Sequence, residues 1–62
     1  MCEQAVYLLE EGKEKLFMES VEKIKCQDDE IVLYDIFGRE EKIKGKVTRM
    51  NLLDHKIFIM PS

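Results

Sequence analysis

The chain has 62 residues, 45% hydrophobic and 37% charged, and its 13 acidic and 10 basic side chains leave a formal net charge of −3. That length allows one small domain burying roughly 60% of its unfolded surface, so a metal, disulfides or a second copy is the expected source of added stability. Two cysteines, Cys2 and Cys26, are too few for a disulfide-dense secreted scaffold, and no apolar run approaches the roughly 20 residues of a membrane-spanning helix.

The start Met1-Cys2-Glu3-Gln4 has neither a basic region nor a long apolar stretch, so no secretory signal is read and a cytoplasmic protein with reduced thiols is expected. An acidic balance without Trp disfavours nucleic-acid binding, which draws its nonspecific affinity from clustered Lys and Arg. The apolar content is high enough to build a core, which argues against disorder.

In chain order, residues 3–9 form a β-rich first run, closed by a turn at Glu10-Glu11-Gly12-Lys13. A second strand is expected over 14–19, with Leu16 and Met18 on one face and Phe17 on the other, and residues 20–26 continue to a turn at Gln27-Asp28-Asp29. Phe17, Val21 and Ile24 also fall at i, i+4 and i+7 among good helix formers, so a helix over 15–25 is the competing reading. Residues 30–37 carry the strongest strand signal, rich in β-branched and aromatic side chains, and Gly38 ends it.

Residues 40–50 alternate most cleanly, with Ile43 and Val47 facing one way and Lys42, Lys44, Lys46 and Thr48 the other. Gly45 on the inward side marks an expected bend or bulge. A turn from Asn51 to His55 leads to a last strand over 56–60. Five or six short strands in one small domain point to an all-β fold, a small antiparallel barrel or rolled sheet that limits exposed edges. No linker, repeat or low-complexity tract divides residues 1–62, which read as a single domain.

The distinctive chemical feature is Cys2. Removal of Met1, usual when the second residue is small, would expose an α-amine beside the thiol, and the two together close a five-membered chelate. Amine and thiol titrate at about 7.7–8.0 and 8.5 when unperturbed, so a metal can displace both protons near neutral pH. The backbone nitrogen of Glu3 could add a third donor, and planar nitrogen-rich coordination suits Ni(II) or Cu(II). With two Cys and one His, a closed structural zinc site of the usual kind within one chain is not available.

The competing reading of Cys2 is a small apolar residue at a strand start. Cys26 reads as an ordinary buried or edge residue, and His55 as a solvated turn residue or a further ligand. Asp35 lies within an apolar run, either supporting a site or facing outward. Lys42, Lys44, Lys46 and Arg49, with Tyr7 or Tyr34 for stacking, form the alternative RNA or partner face. No nucleophile–base set and no phosphate-binding glycine loop appears, so an enzyme is not expected.

The whole chain resembles the CooT family of small nickel-binding proteins, some members of which are labelled predicted RNA-binding proteins. The likeness runs through Met1-Cys2-Glu3, Val6-Tyr7-Leu8, Glu11-Gly12, Leu33-Tyr34-Asp35-Ile36-Phe37-Gly38, Ile43-Lys44-Gly45 and Leu52-Leu53-Asp54-His55-Lys56-Ile57, across positions 1–60. It implies an SH3-like barrel forming a homodimer, and Ni(II) binding that depends on the cysteine after the initiator Met, here Cys2. It further implies a metallochaperone or maturation role toward a client metalloenzyme, carbon monoxide dehydrogenase in the namesake.

Overall fold

Five strands follow one another: β1 Gln4–Glu10, β2 Lys13–Gln27, β3 Glu30–Asp35, β4 Glu40–Asn51 and β5 Lys56–Pro61. They come from a computed structural model that describes residues 3–62. Each strand pairs antiparallel with the next, and β5 returns to pair with β1, closing a barrel in the order β1-β2-β3-β4-β5. The closing pair is parallel, with Ala5 opposite Lys56 and Leu8 opposite Ile59. Strand number explains it: direction reverses at each hairpin, so the first and fifth strands run the same way. The small SH3-like barrel expected from sequence is present, antiparallel at every contact except this seam.

β2 is the element on which the helix and strand readings diverged, and it is strand throughout. Three register irregularities explain the helix-like spacing. One residue on β1, Ala5, faces two on β2, Glu19 and Ser20, between the pairs Gln4–Val21 and Val6–Met18. The register also shifts between Val6–Met18 and Tyr7–Leu16, and between Val21–Asp35 and Lys23–Tyr34. Each extra residue re-phases the two-residue alternation and adds bend. Met18 and Val21 therefore both enter the core, and Ile24 packs against it.

Leu16 and Met18 do not share a face. Phe17 is the extra residue between them, so Met18 is buried while Leu16 pairs with Tyr7 and is exposed. Ser20, at φ 56°, marks the corner where β2 leaves β1 and takes β3 as its partner. One long strand thus serves both sides of the barrel, where the sequence suggested short ones.

The core comprises Val6, Met18, Val21, Ile31, Leu33, Ile57 and Ile59, drawn from β1, β2, β3 and β5, with Ile43 and Val47 of β4 packed against it. Burying each such aliphatic side chain stabilises by roughly 1.5–3 kcal/mol. Ile43, Gly45 and Val47 face inward as their alternation predicts, and Lys42, Lys44 and Lys46 are exposed. The irregularity in β4 falls at Thr48, between the pairs Val47–Ile59 and Arg49–Phe58, rather than at Gly45. Gly45 answers a different need: a Cβ there would collide with the Met60 carbonyl oxygen and lie 2.9 Å from Pro61 Cα.

The register gathers the connections at two ends. The Glu11-Gly12 turn ends β1 beside the end of β5, and the Asp28-Asp29 turn reaches the same end because Asp29 accepts a hydrogen bond from Gly45 N (2.9 Å) opposite Pro61. The start of β1, the turn over 36–39 and the turn over 52–55 lie at the other end. There Ile36 N donates to Ser20 O (2.9 Å) and Ala5 N to His55 O (2.8 Å). No helix among the described residues is long and apolar enough to cross a membrane.

Candidate metal centre

Cys2, the expected primary ligand, lies outside the described residues. Glu3 and Gln4 follow it in the chain. Glu3 accepts a hydrogen bond from Ser20 Oγ (3.2 Å), which holds its carboxylate toward the corner of β2. Gln4 turns the opposite way, toward the β4–β5 turn, where its Nε2 lies 3.3 Å from His55 Nδ1. Residues 51 positions apart in the chain are therefore adjacent, and the chain following Cys2 runs between the corner of β2 and His55.

His55 is half-buried and holds a left-handed backbone, φ 57°, at the last position before β5. A left-handed histidine is uncommon, and the β1–β5 seam maintains it by using the His55 carbonyl to receive Ala5 N. With Gln4 Nε2 donating, Nδ1 accepts, and a neutral ring carries its proton on Nε2. Gln4 Oε1 is buried without a hydrogen-bond partner. Rotating the amide by half a turn would exchange those roles: Oε1 would accept from a protonated Nδ1, leaving the Nε2 lone pair available. That is the arrangement a metal-bound histidine normally requires, its second nitrogen donating to an oxygen.

Asp35 and Asn51 shape the two turns at this end. Asp35 is fully buried and its Oδ1 receives Phe37 N (2.9 Å) and Arg39 N (2.8 Å), while Oδ2 pairs with Arg39 Nε at 2.7 Å. The Arg39 side-chain hydrogen bond holds the Asp35 pKa below its ordinary value; burial opposes this and the two backbone donors assist. Asp35 is thus the organiser of its turn. Asn51 Oδ1 receives Asp54 N (3.1 Å) and Asn51 Nδ2 donates to Asp54 (3.0 Å), closing the other turn. With these turns fixed by polar clamps, their remaining side chains project freely: Phe37 is 78% exposed, Leu52 72% and Leu53 88%.

Among the described residues no group of three or more His, Cys, Asp or Glu side chains converges as a metal site. Cys26 is exposed near the end of β2, opposite Ile31, and is not beside His55's turn. Lys42, Lys44 and Lys46 line the outer side of β4, but that strand changes partner along their length. Lys42 and Lys44 lie beside Val32 and Glu30 of β3, whereas Lys46 lies beside Met60 of β5. Arg49 is engaged by Glu14 (3.5 Å) and by the Phe58 ring (4.3 Å), and Tyr7 stacks on that same Phe58.

Gln4, Ser20, Lys23 and Lys25 were not singled out by sequence reading. A signal existed only for the two lysines, which alternate with Ile24.

Fold and site together define a small closed β-barrel whose first strand, two residues after Cys2 in the sequence, starts against a histidine. A family profile described as CO dehydrogenase accessory protein CooT matches residues 1–60. A solved structure assigned as CooT from Carboxydothermus hydrogenoformans superposes with a TM-score of 0.89 at 34% identity, covering 98% of each chain. An uncharacterized protein of Methanothermobacter thermautotrophicus is 39% identical over 59 residues, 95% of this chain and 88% of the relative. Another, from Archaeoglobus fulgidus, is 33% identical over 42 residues, 68% of this chain and 93% of the relative. The chain belongs to the CooT family of CO dehydrogenase accessory proteins.

Proposed function

We propose that this protein captures Ni(II) as cargo through Cys2 and supports maturation of a nickel enzyme, with CO dehydrogenase as the client its family suggests. The observation that carries the reading is the Gln4–His55 contact at the start of β1, next to Cys2 in sequence. Thiolate, α-amine once Met1 is removed, and the Glu3 backbone nitrogen make a donor set matched to Ni(II). His55 Nε2 is the fourth donor, released by rotation of the Gln4 amide. Reversible capture in a cytoplasmic, thiol-reducing setting fits a set in which the Cys2 thiolate and the Glu3 amide nitrogen, each releasing its proton to solvent, are joined by a neutral amine and imidazole that can let go.

Two copies meeting through the exposed Phe37, Leu52 and Leu53 would bury apolar surface at the end of the barrel where β1 starts and couple dimer stability to metal. The homodimer belongs to this proposal. So does a role in support of an enzyme rather than as one, in keeping with the accessory-protein description of its family.

The test is Ni(II) titration of the Met-cleaved protein, its N-terminus verified by intact mass. A thiolate-to-metal charge-transfer band is expected in wild type and in Cys26→Ser, and its loss is expected in Cys2→Ser. His55→Ala should weaken binding by about 10–100-fold, and Gln4→Ala by about tenfold, because an orienting partner of a ligand carries that order of affinity. Wild-type affinity in Cys2→Ser would overturn the assignment. Wild-type affinity in His55→Ala would remove the histidine from the donor set and leave the thiolate chelate.

A further inference from the structure

The outer side of β2–β3–β4 presents a surface that the metal reading does not use. Residues of β3 that face outward are Glu30, Val32 and Tyr34, alternating with the core residues Ile31 and Leu33 and with buried Asp35. The register builds three cross-strand rows on them: Lys23–Tyr34–Glu40, Lys25–Val32–Lys42 and Gln27–Glu30–Lys44. Four lysines thus surround one tyrosine and one valine, against two glutamates, on a chain whose net charge is −3. The local sign is opposite to that of the molecule.

None of these four lysines forms a salt bridge among the described residues, where the ion pairs are Lys15–Glu10, Arg39–Asp35 and Arg49–Glu14. Lys23 and Lys25 lie near the ring of Tyr34 instead. Lys23 Nζ lies 4.7 Å and Lys25 Nζ 5.7 Å from the Tyr34 ring centroid. Val32, although on the outer side, is only 5% exposed, lying in the row between Lys25 and Lys42. Lysine stems cover apolar surface in this way while their ammonium groups stay in water. Like charges clustered in net excess destabilise the free protein slightly and attract a partner of opposite sign.

We propose that this face docks an acidic surface of a protein partner. Charge complementarity selects the sign, and two features select protein over RNA. The ammonium groups of Lys23 and Lys25 over the Tyr34 ring compete with a base for stacking on it. Glu30 and Glu40 interrupt the lysines, where a phosphate track favours continuous positive charge. A protein surface with mixed charge can place its acids on the lysines and avoid the two glutamates. The face runs along the barrel, from the Gln27–Glu30–Lys44 row beside the Asp28-Asp29 turn to the Lys23–Tyr34–Glu40 row beside the turn over 36–39, so a docked partner would span both ends. Only the choice of CO dehydrogenase as the probe rests on the function proposed above.

The experiment measures association of the full-length protein with nickel-free CO dehydrogenase by biolayer interferometry, at low and moderate salt. Lys25→Glu/Lys42→Glu is compared with Lys46→Glu, an exposed lysine on the β5 side of β4. Circular dichroism confirms that each variant is folded. The double variant should associate about tenfold more slowly at low salt and lose most of the salt dependence, as expected for charges that steer encounter. Lys46→Glu should stay within about twofold of wild type.

Equal rates for the double variant and wild type overturn the proposal. So does tighter, lysine-dependent binding to single-stranded poly(U), which would assign the face to nucleic acid. Failure of wild type to bind the enzyme also overturns it, and the Cys2 titration reports separately whether the metal reading stands.

Discussion

The two ends of the barrel are built by different rules. At one end two-residue turns join β1 to β2 and β2 to β3, and their residues are Glu11-Gly12 and Asp28-Asp29. Such turns demand special backbone: Glu11, Gly12 and Asp28 have φ of 53°, 76° and 50°. Their side chains are then chosen for solvation and left-handed tolerance, leaving an acidic, inert tip. At the other end four-residue turns span 36–39 and 52–55, each clamped by an Asp or Asn just before it. A clamp outside the turn frees the turn's own positions, and here they hold exposed Ile36, Phe37, Leu52 and Leu53 beside His55. Turn length thus separates an end whose tips are polar from one that exposes apolar side chains.

Gly45 offers the largest effect with which to break that contrast, because its strand underpins the acidic end. Gly45→Ala should destabilise by about 1–3 kcal/mol in urea unfolding, the cost of forcing a methyl against backbone. Nickel affinity measured on the folded variant should be unchanged, since Gly45 lies with Pro61 and Asp29. A loss of nickel binding without loss of stability would mean the two ends are not independent.

At the other end, Leu52→Ser/Leu53→Ser should leave unfolding free energy within about 0.5 kcal/mol, as for exposed sites generally. The same variant should weaken self-association by roughly tenfold in sedimentation velocity, which measures the proposed dimer directly. An unchanged dimer would place the interface elsewhere.

The smallest effect concerns the Asp35 clamp. Because its pKa is lowered in the folded protein from an ordinary 3.8, its ionised form contributes stability that is present above that value. The contribution is lost as pH falls through the depressed folded pKa. Asp35→Asn should therefore be less stable than wild type near neutral pH, and the difference should narrow in acid. A gap that is constant with pH would show that the Arg39 ion pair contributes nothing beyond the hydrogen bonds.

Much of this was legible before any coordinates. Glu11-Gly12, Asp28-Asp29 and Gly38 announce turns because left-handed or tight backbone restricts residue choice, and Ile43, Gly45 and Val47 reveal their face through simple alternation. β2 was harder to read. Its bulges depend on how far the strand must bend to serve two partners, a requirement set by β1 and β3 and absent from residues 13–27 themselves. The same cause misplaced Leu16. Sequence reads Asp35 as supporting a site or facing outward; it is instead buried and paired with Arg39 four residues on, a clamp that depends on the turn over 36–39 closing around it.

Local chemistry, read along the chain, determined the strand-rich class, the turn sites and the singular Cys2, because each depends on the conformational and acid–base character of residues close in sequence. Closure of the barrel decided the rest. Only the parallel β1–β5 seam brings His55 to Gln4 across 51 positions, and only the pairing of β3 between β2 and β4 assembles Lys23 and Lys25 with Lys42 and Lys44 around Tyr34. Those contacts follow from register, which is fixed when all five strands bury their apolar faces together.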